Sequence, residues 1–520
     1  MFGLRKRTIA IILVIIMASA GGLTTWLVLR PSRSEILRIF NWDDFIEPSM
    51  VAEFQSYMRA RLGTNRFWVR YETYTGNQHL YTTLTTQRSD HDLIVPSAYM
   101  LERLHAENRL QRFNLAWLPN LTTGDGAARE IDTTILYETT LNHVQKVTGT
   151  TGNIHYGIPY MYGTLGLLVD MHRLAATRHG GDRVAAREWV IDQGWGAMWA
   201  DGIVPSTKEA GRDNFVVAMF RHYRDELAAY SNNFTNFADP RYQALLADIF
   251  SDNVISEKEG GPANARTFNR VAIAEHILMQ LHDNTYFETD TGKVAMRDEN
   301  ATHILGMEWS VSAVYAMQDH VSGGFHHHLE FIVPREGTDL WVNSFAIPTT
   351  ARNPYFAHAF VNWLLNPEPK EEQLVQELPA NILNAWWIGG TSPVLAGARW
   401  LYEYFLYDED DLFLDIPAGH RQAWKDQFLD AWFPSQRQQD GESEIISRGE
   451  VMRYLGQASE TEVNMMMMRV QFGIVQPGPG DGLGAGAIVG IVLGSLAGVG
   501  LIVGGVWFFR RRRRQGAAAA

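Results

Sequence analysis

Short apolar runs alternate with helix-period stretches through the first third of the chain. Leu37-Arg-Ile-Phe40 and Phe67-Trp-Val-Arg-Tyr71 have the length and residue types of strands. Between and after them, the spacing predicts helices over Ser49–Arg61, with Val51, Phe54, Met58 and Leu62 along one side, and over Gln78–Thr86. Asp92-Leu-Ile-Val-Pro96 reads as a buried strand. This β-α-β-α-β order over residues 36–160 predicts a mostly parallel sheet covered by helices. In such sheets ligands sit beyond the carboxyl ends of the strands, where Trp42-Asp43-Asp44 and Ser97-Ala-Tyr99 fall.

Ile158-Pro-Tyr-Met-Tyr-Gly163 followed by Leu165-Gly-Leu-Leu-Val-Asp170 predicts a crossing into a second lobe. Trp195–Trp199, Phe215–Tyr223 and Tyr242–Phe250 are helical candidates there, and His303–Trp309 is a strand ending in a tryptophan. Trp341–Ile347 predicts the crossing back, and Pro354–Leu365 an amphipathic helix closed by Asn366-Pro367. Residues 395–470 have a helical, aromatic pattern with no evident role. The expected organisation is lobe 1 from 35–157 and 340–385, lobe 2 from 158–339, and a C-terminal helical region at 386–473.

Both ends carry long apolar runs. Residues 8–29 are nearly uninterrupted and match the roughly 30 Å hydrocarbon layer of a bilayer. Arg5-Lys-Arg7 ahead of them predict a cytoplasmic N-terminus. Ala18-Ser-Ala20 resembles a signal-peptidase site, but the apolar pattern continues through Leu29, which favours an uncleaved anchor. A Pro/Gly linker at 474–482 leads to a second run at 483–509, and the basic tail 510–520 predicts a cytoplasmic C-terminus. The body between is then extracytoplasmic, on a plasma membrane. Gly486, Gly490, Gly494 and Gly498 make a stripe that suits helix–helix association.

Composition adds two limits. The chain has no cysteine, which excludes disulfides and thiolate metal sites. Its net charge of −13 hides a more acidic body: without Arg5, Lys6, Arg7, Arg30, Arg33 and Arg510–Arg514, 35 basic residues face 58 acidic ones, or −23. Such a body repels nucleic acid and attracts cations.

The candidate chemistry sits at two tryptophan corners, Phe40-Asn-Trp-Asp-Asp-Phe45 and Leu340-Trp-Val-Asn-Ser-Phe-Ala-Ile-Pro348. An indole face attracts a cation and a carboxylate or amide fixes it. The corners lie about 300 residues apart, so only a fold that revisits one cleft brings them together. Each residue also has a plain alternative: the tryptophans as packing, Asp44 or Ser97 as a helix cap, Asp213 as a solvated helix face.

The segments IFNWDDFIEPSMVAEFQ, YETYTGNQHLYTTL, DHDLIVPSAYMLERL, YGIPYMYGTLGLLVD, ILGMEWSVSA and LWVNSFAIPTTARNPYFAHAFVNWLLNPE, in this order over residues 36–366, resemble the spermidine/putrescine-binding proteins of bacterial ABC importers. The resemblance implies an α/β, two-lobed periplasmic-binding-protein fold (type II-like) with a hinge, here flanked by an N-terminal and a C-terminal transmembrane helix. It implies a polyamine or small amine ligand and ABC permease and ATPase subunits as partners. The family's ligand contacts carry over to Trp42, Asp43, Asp44, Phe45, Ser97, Tyr99, Asp213, Trp309 and Trp341. Its main amine-pairing aspartate is Asn343 here, a second-lobe aspartate aligns near Ala210 with Glu209 beside it, and its late tyrosine falls on Leu378. The resemblance thus implies a kept aromatic clamp with thinned anionic charge. The expected ligand is a shorter or less charged amine, or a polyamine held weakly.

Other constellations carry less. His326-His-His328 in a strand would alternate faces and fail to chelate one ion, and Met465–Met468 reads as packing. Phosphate-loop, nucleophile-elbow and zinc-helix motifs are absent, so neither catalysis, metal nor cofactor is expected. Asn120, Asn233 and Asn300 open glycosylation-type triplets, a pattern common by chance. A receptor or adhesion module on the same fold, with altered or lost polyamine binding, is the alternative reading.

Overall fold

The computed structural model of the protein describes residues 32–86, 89–251, 257–259, 266–268, 270–281, 286–288, 296–297, 303–318, 324–367, 379–407, 418–435 and 444–474. The described residues up to Met468 form one compact unit.

The first sheet has the order β2-β1-β3, from β1 (Ile36–Trp42), β2 (Trp68–Tyr74) and β3 (Leu93–Ile94), all parallel. α1 (Met50–Leu62) buries Met50, Phe54 and Met58, one face at four-residue spacing, and ends at Gly63 in the left-handed region (φ +62°). α2 (Asn77–Thr86) and α3 (Ala98–Ala106) follow β2 and β3. The buried run at 92–96 yields a two-residue strand, and the Asp92 side chain ahead of it ties other segments together. Fully buried, it accepts hydrogen bonds from Arg33 Nη2 (2.9 Å) and from the backbone N–H groups of Arg38 (3.0 Å), Arg352 and Asn353 (both 2.8 Å). Arg33 also pairs with Asp90 (2.9 Å), so it belongs to the folded body and not to the basic N-terminal flank.

The crossing strand β4 (Ile158–Asp170) is buried along all thirteen residues. It leads to a sheet ordered β6-β5-β7-β4, with β8 also on β4. These strands are β5 (Pro205–Lys208), β6 (Tyr286–Glu288), β7 (Leu305–Trp309) and β8 (Leu329–Ile332). β5 runs parallel to β6 and β7, whereas β7 and β8 run antiparallel to β4. α4 (Gly211–His222) follows β5 and α5 (Ser310–Met317) follows β7. The return strand β9 (Thr338–Phe345) pairs antiparallel with β4, and its end bridges Ile94 of the first lobe through Ala346. Trp195–Trp199, expected as helix, forms part of a 3-10 turn, Gly194–Trp199.

Beyond the return, α6 (Pro354–Leu364), α7 (Ala380–Ile388), α8 (Leu395–Tyr407) and α9 (Ala418–Trp432) close the back of the crossing. Asn384 of α7 donates to the Tyr160 hydroxyl (2.9 Å) and accepts from Glu47 N–H (2.9 Å). Trp424 of α9 donates to Leu329 O (2.7 Å) in β8. One apolar cluster therefore runs from Leu37 and Phe54 through Tyr160 and Trp341 to Phe405, Trp424 and Trp432. The last described elements are β10 (Gly449–Glu450), parallel to the start of β9, and α10 (Gly456–Gln471). Met466 and Met467 of α10 are buried, whereas Met465 and Met468 are exposed.

The three histidines do not form a strand. The Leu329 N–H bonds His326 O (2.9 Å) and closes a turn before β8. Among the described residues no three His, Cys, Asp or Glu side chains are placed to hold a metal ion. No described helix is long and apolar enough to cross a membrane. Both expected spans, the glycine stripe, Leu378 and Asn300 lie outside the described residues.

Candidate ligand-binding site

On the lobe 1 side, β1 delivers Trp42 half-buried at its carboxyl end. The indole N–H donates to Val95 O (2.9 Å), and the ring lies 5.0 Å from that of Tyr74. Asp43 and Asp44 follow, both exposed, with Asp44 in the left-handed region (φ +53°) that aspartate tolerates. Ser49, not Asp44, precedes α1. Phe45 turns inward: it is buried, its ring stands 5.8 Å from Tyr160, and its carbonyl accepts from Asn41 Nδ2 (3.0 Å) and Tyr160 Oη (2.6 Å). It forms part of the core beneath the corner.

Ser97 precedes α3 but does not cap it with its side chain. Its hydroxyl donates to Asn343 Oδ1 (2.8 Å), across from β9. Asn77, at the start of α2, donates to Ser97 Oγ (3.1 Å) and Tyr99 Oη (3.0 Å). Sequence reasoning missed Asn77, although it follows the carboxyl end of β2 as Trp42 and Ser97 follow β1 and β3. Asn343 itself is 8% exposed, held in a neutral network.

The lobe 2 side is charged. Glu209 is exposed, but the alternative of Asp213 as a solvated helix face is excluded, since it is only 5% exposed. Burial pushes its carboxyl up to about 7, against the opposing pull of Arg212, Lys208 and a hydrogen bond from Trp309. Lys208 is buried against Glu308 (2.8 Å), and its ammonium lies 5.2 Å from the Trp309 ring centre. Arg212 reaches across to lobe 1, with its guanidinium 3.9 Å from the Tyr99 ring centre. It bonds Arg453 O (2.7 Å) and pairs with Glu460. Two aromatic faces expected to receive a ligand cation thus already face cations of the chain.

Trp341 sits in the crossing, 9% exposed, and donates to Thr164 O (3.1 Å). A side chain at Gly163 would meet its ring at 2.4 Å, so only glycine leaves room for the indole. Trp341 belongs to the continuous apolar cluster, and Trp42 and Trp309 pack against it. Trp309 and Trp341 lie on the strands that flank β4, at Leu165 and Gly163, and Trp42 is tied to Val95, two residues before the Ser97 that bonds Asn343 of β9.

The C-terminal region reaches β9 too. β10 extends β9 through the Asp339–Glu450 pair, and Val451 is buried with Phe40, Tyr74 and Val342. Arg453 pairs with Glu102 (2.6 Å), and Lys146 with Glu450 (2.6 Å). Nothing in the helical pattern of 395–470 signalled this role.

A family model described as bacterial extracellular solute-binding protein matches residues 50–380. The spermidine/putrescine-binding periplasmic protein of Salmonella typhimurium is 24% identical over 410 residues, 77% of this chain and 89% of that protein. The putrescine/agmatine-binding protein of Pseudomonas aeruginosa is 21% identical over 333 residues, 64% of this chain and 74% of its own length. Among solved structures, the spermidine/putrescine transporter substrate-binding protein of Streptococcus pneumoniae aligns at TM-score 0.51 and 19% identity, and a lipoprotein of Treponema pallidum at 0.52 and 16%. Each covers 84% of this chain and 99% of the matched one. That coverage is wider than residues 36–366, so the likeness of fold extends into the C-terminal region. The relatives are named as binding proteins, not enzymes, and the chain shares the fold of the solved substrate-binding structures. The chain belongs to the bacterial extracellular solute-binding protein family.

Proposed function

We propose that the protein captures a polyamine or related small organic amine between lobe 2 (158–339) and lobe 1 (35–157 with 340–385), and delivers it to the permease and ATPase of an ABC importer. The observation that supports this reading is the run of contacts from Trp42 through Val95 and Ser97 to Asn343 of β9, with Trp341 and Trp309 on the two strands that flank β4 and Asp213 beside Trp309. Indole and phenol faces stabilise a cation, and a buried carboxylate neutralises it. The names of the relatives point the same way. The apolar segments 8–29 and 483–509 would hold the body on the outer face of the plasma membrane, at high local concentration near the permease.

Titration of the full chain in detergent with putrescine, agmatine and spermidine, followed by tryptophan fluorescence, tests the binding step. A saturable response is expected. A folded sample that gives none at millimolar amine overturns the reading. Uptake of radiolabelled amine by cells lacking the protein tests delivery, with reduced uptake expected.

One observation favours the alternative of a receptor or adhesion module. Arg212 at Tyr99 and Lys208 at Trp309 stand where ligand cations would. Co-purification with a permease and ATPase supports transport; co-purification only with a signalling partner or with itself supports the alternative.

A further inference from the structure

Asp339 lies near the start of β9, two residues before Trp341 and four before Asn343. Strand alternation puts these three side chains on one face. Asp339 is 3% exposed. Its Oδ1 has no hydrogen-bond partner. A buried carboxylate oxygen without a donor is costly unless the group is protonated or a cation arrives.

The charged surroundings sharpen that requirement. From α4, Asp213 and Arg212 face Asp339, and from β10, Glu450 does. Asp213 is faced in turn by Lys208 of β5 and by Trp309 at the end of β7. Each nearby cation has another partner: Arg212 pairs with Glu460, Lys208 with Glu308, and Lys146 with Glu450. Among the described residues, neither Asp213 nor Asp339 forms an ion pair. Burial raises the pKa of both, and the field of Asp213 raises that of Asp339 further.

We propose that Asp213 and Asp339 form a paired-carboxyl seat for one ammonium or guanidinium end of the ligand. The inference rests on the amine reading and names the charges that carry it, in place of the neutral Asn343. Before binding, the pair holds a proton. When a cation enters, one carboxyl O–H gives that proton to solvent and both oxygens face the positive charge. No other bond breaks. One cationic end is thereby neutralised, so a diamine or a guanidino-amine suits the seat better than a longer polycation.

Calorimetry of the full chain in nanodiscs with putrescine, repeated in buffers of different ionisation enthalpy, tests this. Wild type should release up to about one proton at neutral pH, and its affinity should rise as pH rises through about 7, where the Asp213 carboxyl titrates. Asp339→Asn, nearly isosteric, and Asp213→Asn, on a separate element, should each weaken putrescine about ten- to a hundredfold and abolish the proton release, with cooperative thermal unfolding retained. If both variants bind putrescine as wild type does, with the same proton count, the seat is overturned and the amine reading stands. If wild type binds no amine, both fall.

Discussion

The two walls of the junction solve the same problem with different chemistry. The buried part of the lobe 1 wall is neutral, with Asp43 and Asp44 exposed at its edge: Asn77, Ser97, Tyr99 and Asn343 hold one another through hydrogen bonds, and Trp42 is pinned by Val95. The lobe 2 wall is ionic and largely buried: Lys208 with Glu308, Arg212 with Glu460, and the acids Asp213 and Asp339. Neutral hydrogen bonds fix geometry at modest net free energy, whereas buried charges set which ligand charge is tolerated. Shape is thus set from one side and charge from the other.

The largest expected effect comes from breaking the ionic wall at one residue. Glu308→Leu removes the carboxylate that pairs with the buried ammonium of Lys208 and should cost about 3–5 kcal/mol, read by urea unfolding. The double replacement Lys208→Met with Glu308→Leu should recover all of that loss or exceed it, because the pair's desolvation is then removed. A double variant as unstable as the single one would contradict this.

The pH profile separates the walls next. The folded carboxyl of Asp213 titrates at about 7, above the ordinary value near 3.8. A raised carboxyl contributes stability that is fully present below about 4 and is lost as pH rises through about 7, with each pH unit between the two values worth about 1.4 kcal/mol. Asp213→Asn should therefore gain on wild type in thermal midpoint between pH 4 and pH 8. A constant difference would place the titration elsewhere.

Charging the neutral wall sharpens the contrast in binding. Asn343→Asp puts a carboxylate opposite the Ser97 hydroxyl and should tighten putrescine about tenfold, a change of about 1.4 kcal/mol measured by calorimetry. The smallest effect is Ser97→Ala, which removes one hydrogen bond to Asn343 and should cost about 0.5–1.5 kcal/mol of stability.

Much of the architecture was legible in the chain. Helix-period spacing at Phe54 and Met58 placed α1, and the apolar run Ile158–Asp170 marked the crossing. The tryptophan corners were legible as positions, because Trp42 and Trp309 close short apolar strands. Their partners were harder. Phe45 looks like a site residue by position, but its side chain turns into the core. Lys208, Glu308 and Asp339 read as ordinary charged residues, since burial is a property of the assembled fold. The role of Gly449–Met452 was hidden for the same reason: a two-residue strand has no period to detect.

Asp92 gathers donors from the entering chain, from the central strand of the first sheet and from the turn after the return strand. A pull arriving at Ser32 is therefore shared at once by three stretches of backbone. This lobe is thus tied together at the point where the described chain begins.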